Sequence, residues 1–87
     1  MLTTVEIDRV SFTQVKFREG YDIDEVDAFV AAVRASIAAG PSATGALGSD
    51  AVRNVRFQPT KFRPGYNHDE VDALLSQAED TLRAFGR

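Results

Sequence analysis

The stretch KFREGYDIDEVDAF, residues 16–29, decides how this chain folds, because it recurs as KFRPGYNHDEVDAL at residues 61–74. The two copies are offset by 45 positions, and the match extends upstream, where Phe12 recurs as Phe57. A repeat of fixed offset indicates two copies of one structural unit. Charged residues recur at equivalent positions together with the apolar ones. A hydrophobic core alone would require only the apolar residues to recur.

Composition excludes several classes of protein. The chain has 87 residues, a net charge of −3, 44% hydrophobic residues and no cysteine, which predicts one small domain without disulfides or thiolate metal sites. The acidic balance argues against a nucleic-acid binder. No apolar run approaches the roughly 18 residues of a membrane span, and the N-terminus lacks the basic start and apolar block of a signal peptide. We therefore expect a cytoplasmic location.

Each copy contains the same succession of a short helical turn, an extended loop and a long helix. The copies span residues 3–39 and 48–84, and the linker GPSATGAL, residues 40–47, lies between them. Glycine, proline and serine in this linker are typical of a flexible connection. We expect the two repeats to form one compact unit.

Capping residues predict where the helices begin. Thr4 and Ser49 are predicted to cap the short helices, while Asp22 and Asn67 are good N-cap residues for the long ones. A glutamate follows each long-helix cap by three positions, which resembles a capping box.

Two residue types shape the extended loop. Pro59 excludes a central, fully hydrogen-bonded strand in the second copy. Gly20 and Gly65 are predicted to supply a backbone angle that other residues resist.

Both long helices carry an apolar stripe with the spacing of a helix–helix seam. A single helix of about 18 residues has marginal stability on its own, so we expect the apolar stripes of the two long helices to pack against each other. The expected fold is all-α, with two helical hairpin-like repeats. The repeats are expected to pair as a pseudo-two-fold, coiled-coil-like bundle. A parallel pair within the chain is favoured, with an antiparallel pair and exchange between two chains as alternatives. The seam residues are Val26, Val30, Val33 and Ile37 in the first repeat, and Val71, Leu75, Ala78, Leu82 and Phe85 in the second.

The sequence FTQVKFREGYDIDEVDAFV resembles the N-terminal domain of the DivIVA family, and NVRFQPTKFRPGYNHDEVDALL resembles the same domain again. Members of this family are bacterial scaffolds of cell division and polar growth. The resemblance implies a parallel pair of long helices with crossed loops at its tip. Family scaffolds continue into long coiled coils, whereas this chain has two heads and stops at Arg87, which predicts a docking or adaptor module or a regulator that associates with full-length relatives.

The resemblance also implies two kinds of site. In members that bind membrane, a loop phenylalanine inserts among lipids beside basic residues, and the matching residues here are Lys16, Phe17, Arg18, Lys61, Phe62 and Arg63. Other relatives dock arginine-containing tails of cell-wall synthases in a groove, part of which Tyr21, Asp27, Tyr66 and Asp72 match. An additional acid of that groove is Ala31 or Ser76 here, which weakens the implied docking role.

The residues themselves leave alternatives open. Phe17 and Phe62 are equally compatible with ordinary core aromatics, although the basic residues on both sides of each favour an anionic interface. Tyr21 and Tyr66 are expected mainly to pack the turn against the helix start. His68, the only histidine, is expected in solvent on the first helical turn.

The leading prediction is a non-enzymatic module that docks to anionic membrane lipids, to a DivIVA-like scaffold or another cell-division or cell-wall protein, or to both, with self-association as a further option. It adds to the cytoplasmic location a peripheral position at the inner face of the cell membrane, at the septum or pole. The alternative is an adaptor that binds partner peptides or coiled coils without membrane contact. No nucleophile–base pair, glycine-rich phosphate loop or metal-ligand set is present in the sequence, so neither an enzyme, a cofactor nor a metal is expected.

Overall fold

The structure is a computed structural model that describes residues 2–41 and 47–86. Residues 42–46 of the predicted linker lie outside the described residues. In chain order the elements are α1 (Thr4–Arg9), β1 (Gln14–Val15), β2 (Gly20–Tyr21), α2 (Ile23–Ala39), α3 (Ser49–Asn54), β3 (Pro59–Thr60), β4 (Gly65–Tyr66) and α4 (His68–Ala84).

The four short strands form one antiparallel sheet in the order β1-β4-β2-β3. Strand β1 of the first repeat pairs with β4 of the second, β3 pairs with β2, and the central strands meet at Tyr21 and Tyr66. The prediction of an all-α fold is therefore wrong, and the fold is mixed α/β. The extended segments hydrogen-bond to each other across the repeats, which satisfies backbone groups that a loop would leave to water. Pro59 lies on the edge strand β3, where a missing N–H is tolerated.

The sheet continues into the starts of the long helices. The N–H of Asp22 donates to the carbonyl of Gln58 at 2.9 Å, and the N–H of Asn67 donates to the carbonyl of Thr13 at the same distance. Both bonds join one repeat to the other. The N-terminus of each long helix is consequently held by the extended segment that precedes the first strand of the opposite repeat.

The predicted caps of the long helices are confirmed. Asp22 accepts a hydrogen bond from the N–H of Glu25 at 3.0 Å, and Asn67 accepts one from Glu70 at 3.1 Å. The glutamate carboxylates do not return to complete a capping box. Each instead accepts a backbone N–H from the opposite repeat, at 3.2 and 2.8 Å respectively.

The predicted caps of the short helices are wrong by one residue. The N-caps are Thr3 and Gly48, while Thr4 and Ser49 are the first helical residues. Thr3 forms a reciprocal capping box, because its hydroxyl accepts the N–H of Glu6 at 3.2 Å and the Glu6 carboxylate accepts the N–H of Thr3 at 3.1 Å.

The role predicted for Gly20 and Gly65 is also wrong, since neither has a positive φ. Both glycines are required by close approach of the central strands. A Cβ atom on Gly20 would lie 2.9 Å from the carbonyl oxygen of Tyr66, and one on Gly65 would lie 2.9 Å from that of Tyr21. A side chain on either glycine would also collide with a side chain of its own repeat, that of Val15 at Gly20 and that of Thr60 at Gly65.

The long helices run side by side in the same direction. Each begins directly after one of two paired central strands, and Ile37 and Leu82 near their far ends are buried in one cluster. The pseudo-two-fold rotation that superposes one repeat on the other exchanges the two long helices. Because these helices point in the same direction, the rotation axis runs along them. Equivalent residues of the two repeats therefore lie at the same end of the molecule. Most seam residues are buried (Val26, Val33, Ile37, Val71, Ala78 and Leu82), and Val30, Leu75 and Phe85 are half-buried.

Each short helix is tied to the long helix of its own repeat by an ion pair. Asp8 meets Arg34 at 2.6 Å, and at the equivalent positions of the second repeat Arg53 meets Glu79 at 3.4 Å. In the first repeat the acid lies on the short helix and the base on the long helix, whereas in the second repeat the base lies on the short helix and the acid on the long helix. The two helices of each repeat therefore attract each other in both cases. The Arg34 guanidinium lowers the pKa of Asp8, mainly through the hydrogen bond between the two side chains.

Candidate functional site

Two loops between the strands expose phenylalanine side chains. We call residues 16–19 the first loop and residues 61–64 the second loop. Phe17 is 79% exposed and Phe62 is 76% exposed. Of the large apolar side chains described, Val5 follows at 55%. The interpretation of these phenylalanines as core aromatics is therefore wrong.

Exposed cations surround each phenylalanine. The Nζ atom of Lys16 lies 5.6 Å from the ring centroid of Phe17, and Lys61 lies 5.7 Å from that of Phe62. These are cation–π distances. Arg18 and Arg63, which follow the two phenylalanines, are also exposed. In both loops an exposed aromatic side chain therefore lies between a lysine and an arginine.

Both loops lie at the N-terminal end of the long helices. Arg63 of the second loop contacts the Asp22 cap of α2 at 3.1 Å. Glu19 of the first loop lies 3.8 Å from Nε2 of His68, the first residue of α4. Each loop therefore crosses to the helix of the opposite repeat. Because the pseudo-two-fold axis runs along the helices, the two aromatic tips emerge at one end of the molecule, on either side of that axis.

The four residues predicted for a partner groove are paired across the repeats. The hydroxyl of Tyr21 donates to Asp72 at 2.9 Å, and that of Tyr66 donates to Asp27 at 2.8 Å. Burial, followed by the hydrogen bond to the carboxylate, raises the pKa of both tyrosines. Each site is composite, with its tyrosine from one repeat and its aspartate from the other.

A cavity opens beside each tyrosine–aspartate pair, with a volume of about 400 Å³ at Tyr21 and about 320 Å³ at Tyr66. The linings of the two cavities differ at several equivalent positions, and one of these differences changes the charge. Arg56 lines the cavity at Tyr21 and donates to the carbonyl of Val55 at 2.8 Å, whereas Ser11 occupies this position at Tyr66.

Sequence reasoning missed several aromatic contacts around the tyrosines. Phe57 packs against Tyr21 with ring centroids 5.3 Å apart, and Phe12 packs against Tyr66 at 5.1 Å. The recurrence of phenylalanine at these two positions was the available signal. His68 was expected in solvent, but it is half-buried and stacks on Tyr21 at 4.1 Å. Its counterpart is Ile23, so the repeat carried no sign of this contact.

Within residues 2–41 and 47–86, no three metal-ligating side chains are grouped to hold an ion. In the same part of the chain, no helix combines the length and the apolar character needed to cross a bilayer. Comparison with family models, curated proteins and solved structures finds no match. The DivIVA resemblance therefore rests on the repeated residues themselves.

Proposed function

We propose that this chain is a non-enzymatic, tandem DivIVA-like module that docks on anionic membrane through its two loops, in bacterial cell division or polar growth. The observation that carries the proposal is the exposure of Phe17 and Phe62, each within reach of a lysine and at the same end of the molecule. An aromatic side chain with basic neighbours suits the boundary between headgroups and acyl chains.

The energies explain why two loops serve better than one. Inserting one phenylalanine stabilises the bound state by about 2–3 kcal/mol, and each nearby cation adds about 1 kcal/mol at an anionic surface. One loop therefore yields about 4–5 kcal/mol, which corresponds to near-millimolar binding. Two loops that engage together reach the micromolar range, because the second binds intramolecularly. Parallel helices support this reading, since antiparallel helices would direct the loops oppositely.

Sedimentation with vesicles of phosphatidylcholine and phosphatidylglycerol tests the proposal. The double variant Phe17→Ala with Phe62→Ala should bind about a thousandfold more weakly, given the insertion energies above. Val5→Ala is the matched control, because Val5 is also an exposed apolar residue but lies on α1. Sedimentation of the double variant as efficiently as the parent would refute membrane insertion.

The two cavities favour a second candidate, an adaptor that binds partner peptides or coiled coils without membrane contact. Each cavity is lined by the tyrosine and aspartate of one composite pair. Capture of a DivIVA-like scaffold that is lost in Asp27→Ala with Asp72→Ala, yet unchanged when both loop phenylalanines are replaced, would support this candidate. Thermal melts must show that the variant is folded, since the two aspartates also accept the tyrosine hydrogen bonds.

A further inference from the structure

The two loops share the sequence Lys-Phe-Arg but differ in the residue that follows. Glu19 ends the first loop, and Pro64 ends the second. The side chain of Glu19 is 65% exposed. An acid therefore stands beside the aromatic tip in one loop and is absent from the other.

The charges around the loops are balanced differently. Asp22 contacts the second loop through its ion pair with Arg63, it also caps α2, and its side chain is only 22% exposed. Within the described residues the only ion pair of Glu19 is with His68, whose Nε2 lies 3.8 Å away and whose side chain is charged only when protonated. The acid near the second loop is thus satisfied inside the fold, while the acid of the first loop faces solvent.

From this comparison we infer that the second loop is the primary membrane anchor, and that Glu19 is the residue that weakens the first. The inference rests on the proposed function. A negative charge beside an anionic surface opposes the attraction of one neighbouring cation. Removing the charge should therefore tighten binding about fivefold.

The test uses the full chain and vesicles of equal parts phosphatidylcholine and phosphatidylglycerol at low salt. Glu19→Gln should bind about fivefold tighter than the parent, and the gain should disappear at high salt, where surface charges are screened. Pure phosphatidylcholine vesicles should show no gain. In the reciprocal experiment Pro64→Glu should bind about fivefold more weakly than Pro64→Gln, a comparison that separates charge from loss of the proline ring.

Single phenylalanine variants test the ranking of the loops independently. Phe62→Ala should lose more affinity than Phe17→Ala, because a loop without its phenylalanine disengages and the loop left in Phe62→Ala is the one that carries Glu19. Equal losses, or unchanged binding by Glu19→Gln, would overturn this inference while membrane docking itself still holds. A parent chain that ignores anionic vesicles would instead overturn the proposed function, and this inference with it. Circular dichroism of each variant confirms folding, which is expected because the altered side chains are exposed.

Discussion

Replacing Thr60 with valine should stabilise the fold. The side chain of Thr60 is 3% exposed, and its hydroxyl has no hydrogen-bond partner among the described residues. The hydroxyl faces Gly65, just as a methyl group of Val15 faces Gly20 at the equivalent position of the first repeat. Burying an unpaired hydroxyl costs about 1–3 kcal/mol in proteins, and valine has nearly the same shape.

Thermal and urea unfolding of Thr60→Val should therefore show a gain of about 1–2 kcal/mol. For a domain of this size, each kcal/mol corresponds to about 4–8 °C in Tm. The matched control is Val15→Thr, which places a hydroxyl at the equivalent site and should destabilise by a similar amount. A fall in Tm for Thr60→Val would show that the hydroxyl has a partner, and would refute the reasoning.

Three further outcomes are expected. Gly65→Ala should destabilise by about 1–3 kcal/mol in urea unfolding, because its Cβ would overlap the Thr60 hydroxyl and press on the Tyr21 carbonyl; a neutral result would contradict the close approach. Because the pKa values of Tyr21 and Tyr66 are raised in the folded state, their protonated hydroxyls contribute to the free energy of unfolding. This contribution should be fully present below the unfolded tyrosine pKa of about 10 and should be lost as the pH rises through the folded pKa. Tyr21→Phe with Tyr66→Phe should remove that alkaline loss in melts recorded across pH, and an unchanged loss would exclude the tyrosines as its cause. Asp8→Arg should lower Tm by facing Arg34 with a like charge, and adding Arg34→Glu should recover it; failure to recover would show that the pair does not act through charge.

The paired strands could not be predicted from the sequence in the way the helices were. The caps at Asp22 and Asn67 and the apolar seam are local signals, and they place the long helices within a residue or two. Strands of two residues are too short to show an alternating pattern. Their pairing depends on contacts between repeats, such as Tyr21 with Tyr66, whose positions are fixed by the whole fold.

The same limitation applies to the composite sites. The resemblance assigned Tyr21, Asp27, Tyr66 and Asp72 to a groove without indicating which of them meet, and the structure pairs Tyr21 with Asp72. A repeated motif shows which residues recur but not whether they meet within one copy or between copies. The exposed loops were more accessible to prediction, because a phenylalanine between two cations is a local signal.

Joining two repeats in one chain allows equivalent sites to differ. In a symmetric dimer of identical chains, every substitution is present in both chains, so two equivalent contacts always change together. In a chain with two repeats, a substitution changes only one of the two equivalent contacts. Here the ion pair between short and long helices runs from Asp8 to Arg34 in one repeat and from Arg53 to Glu79 in the other. A short helix placed on the wrong long helix would set Asp8 against Glu79 and Arg53 against Arg34. Since like charges in contact are destabilising, the exchanged signs favour one assignment of short helices to long helices, which a symmetric pair of chains could not specify.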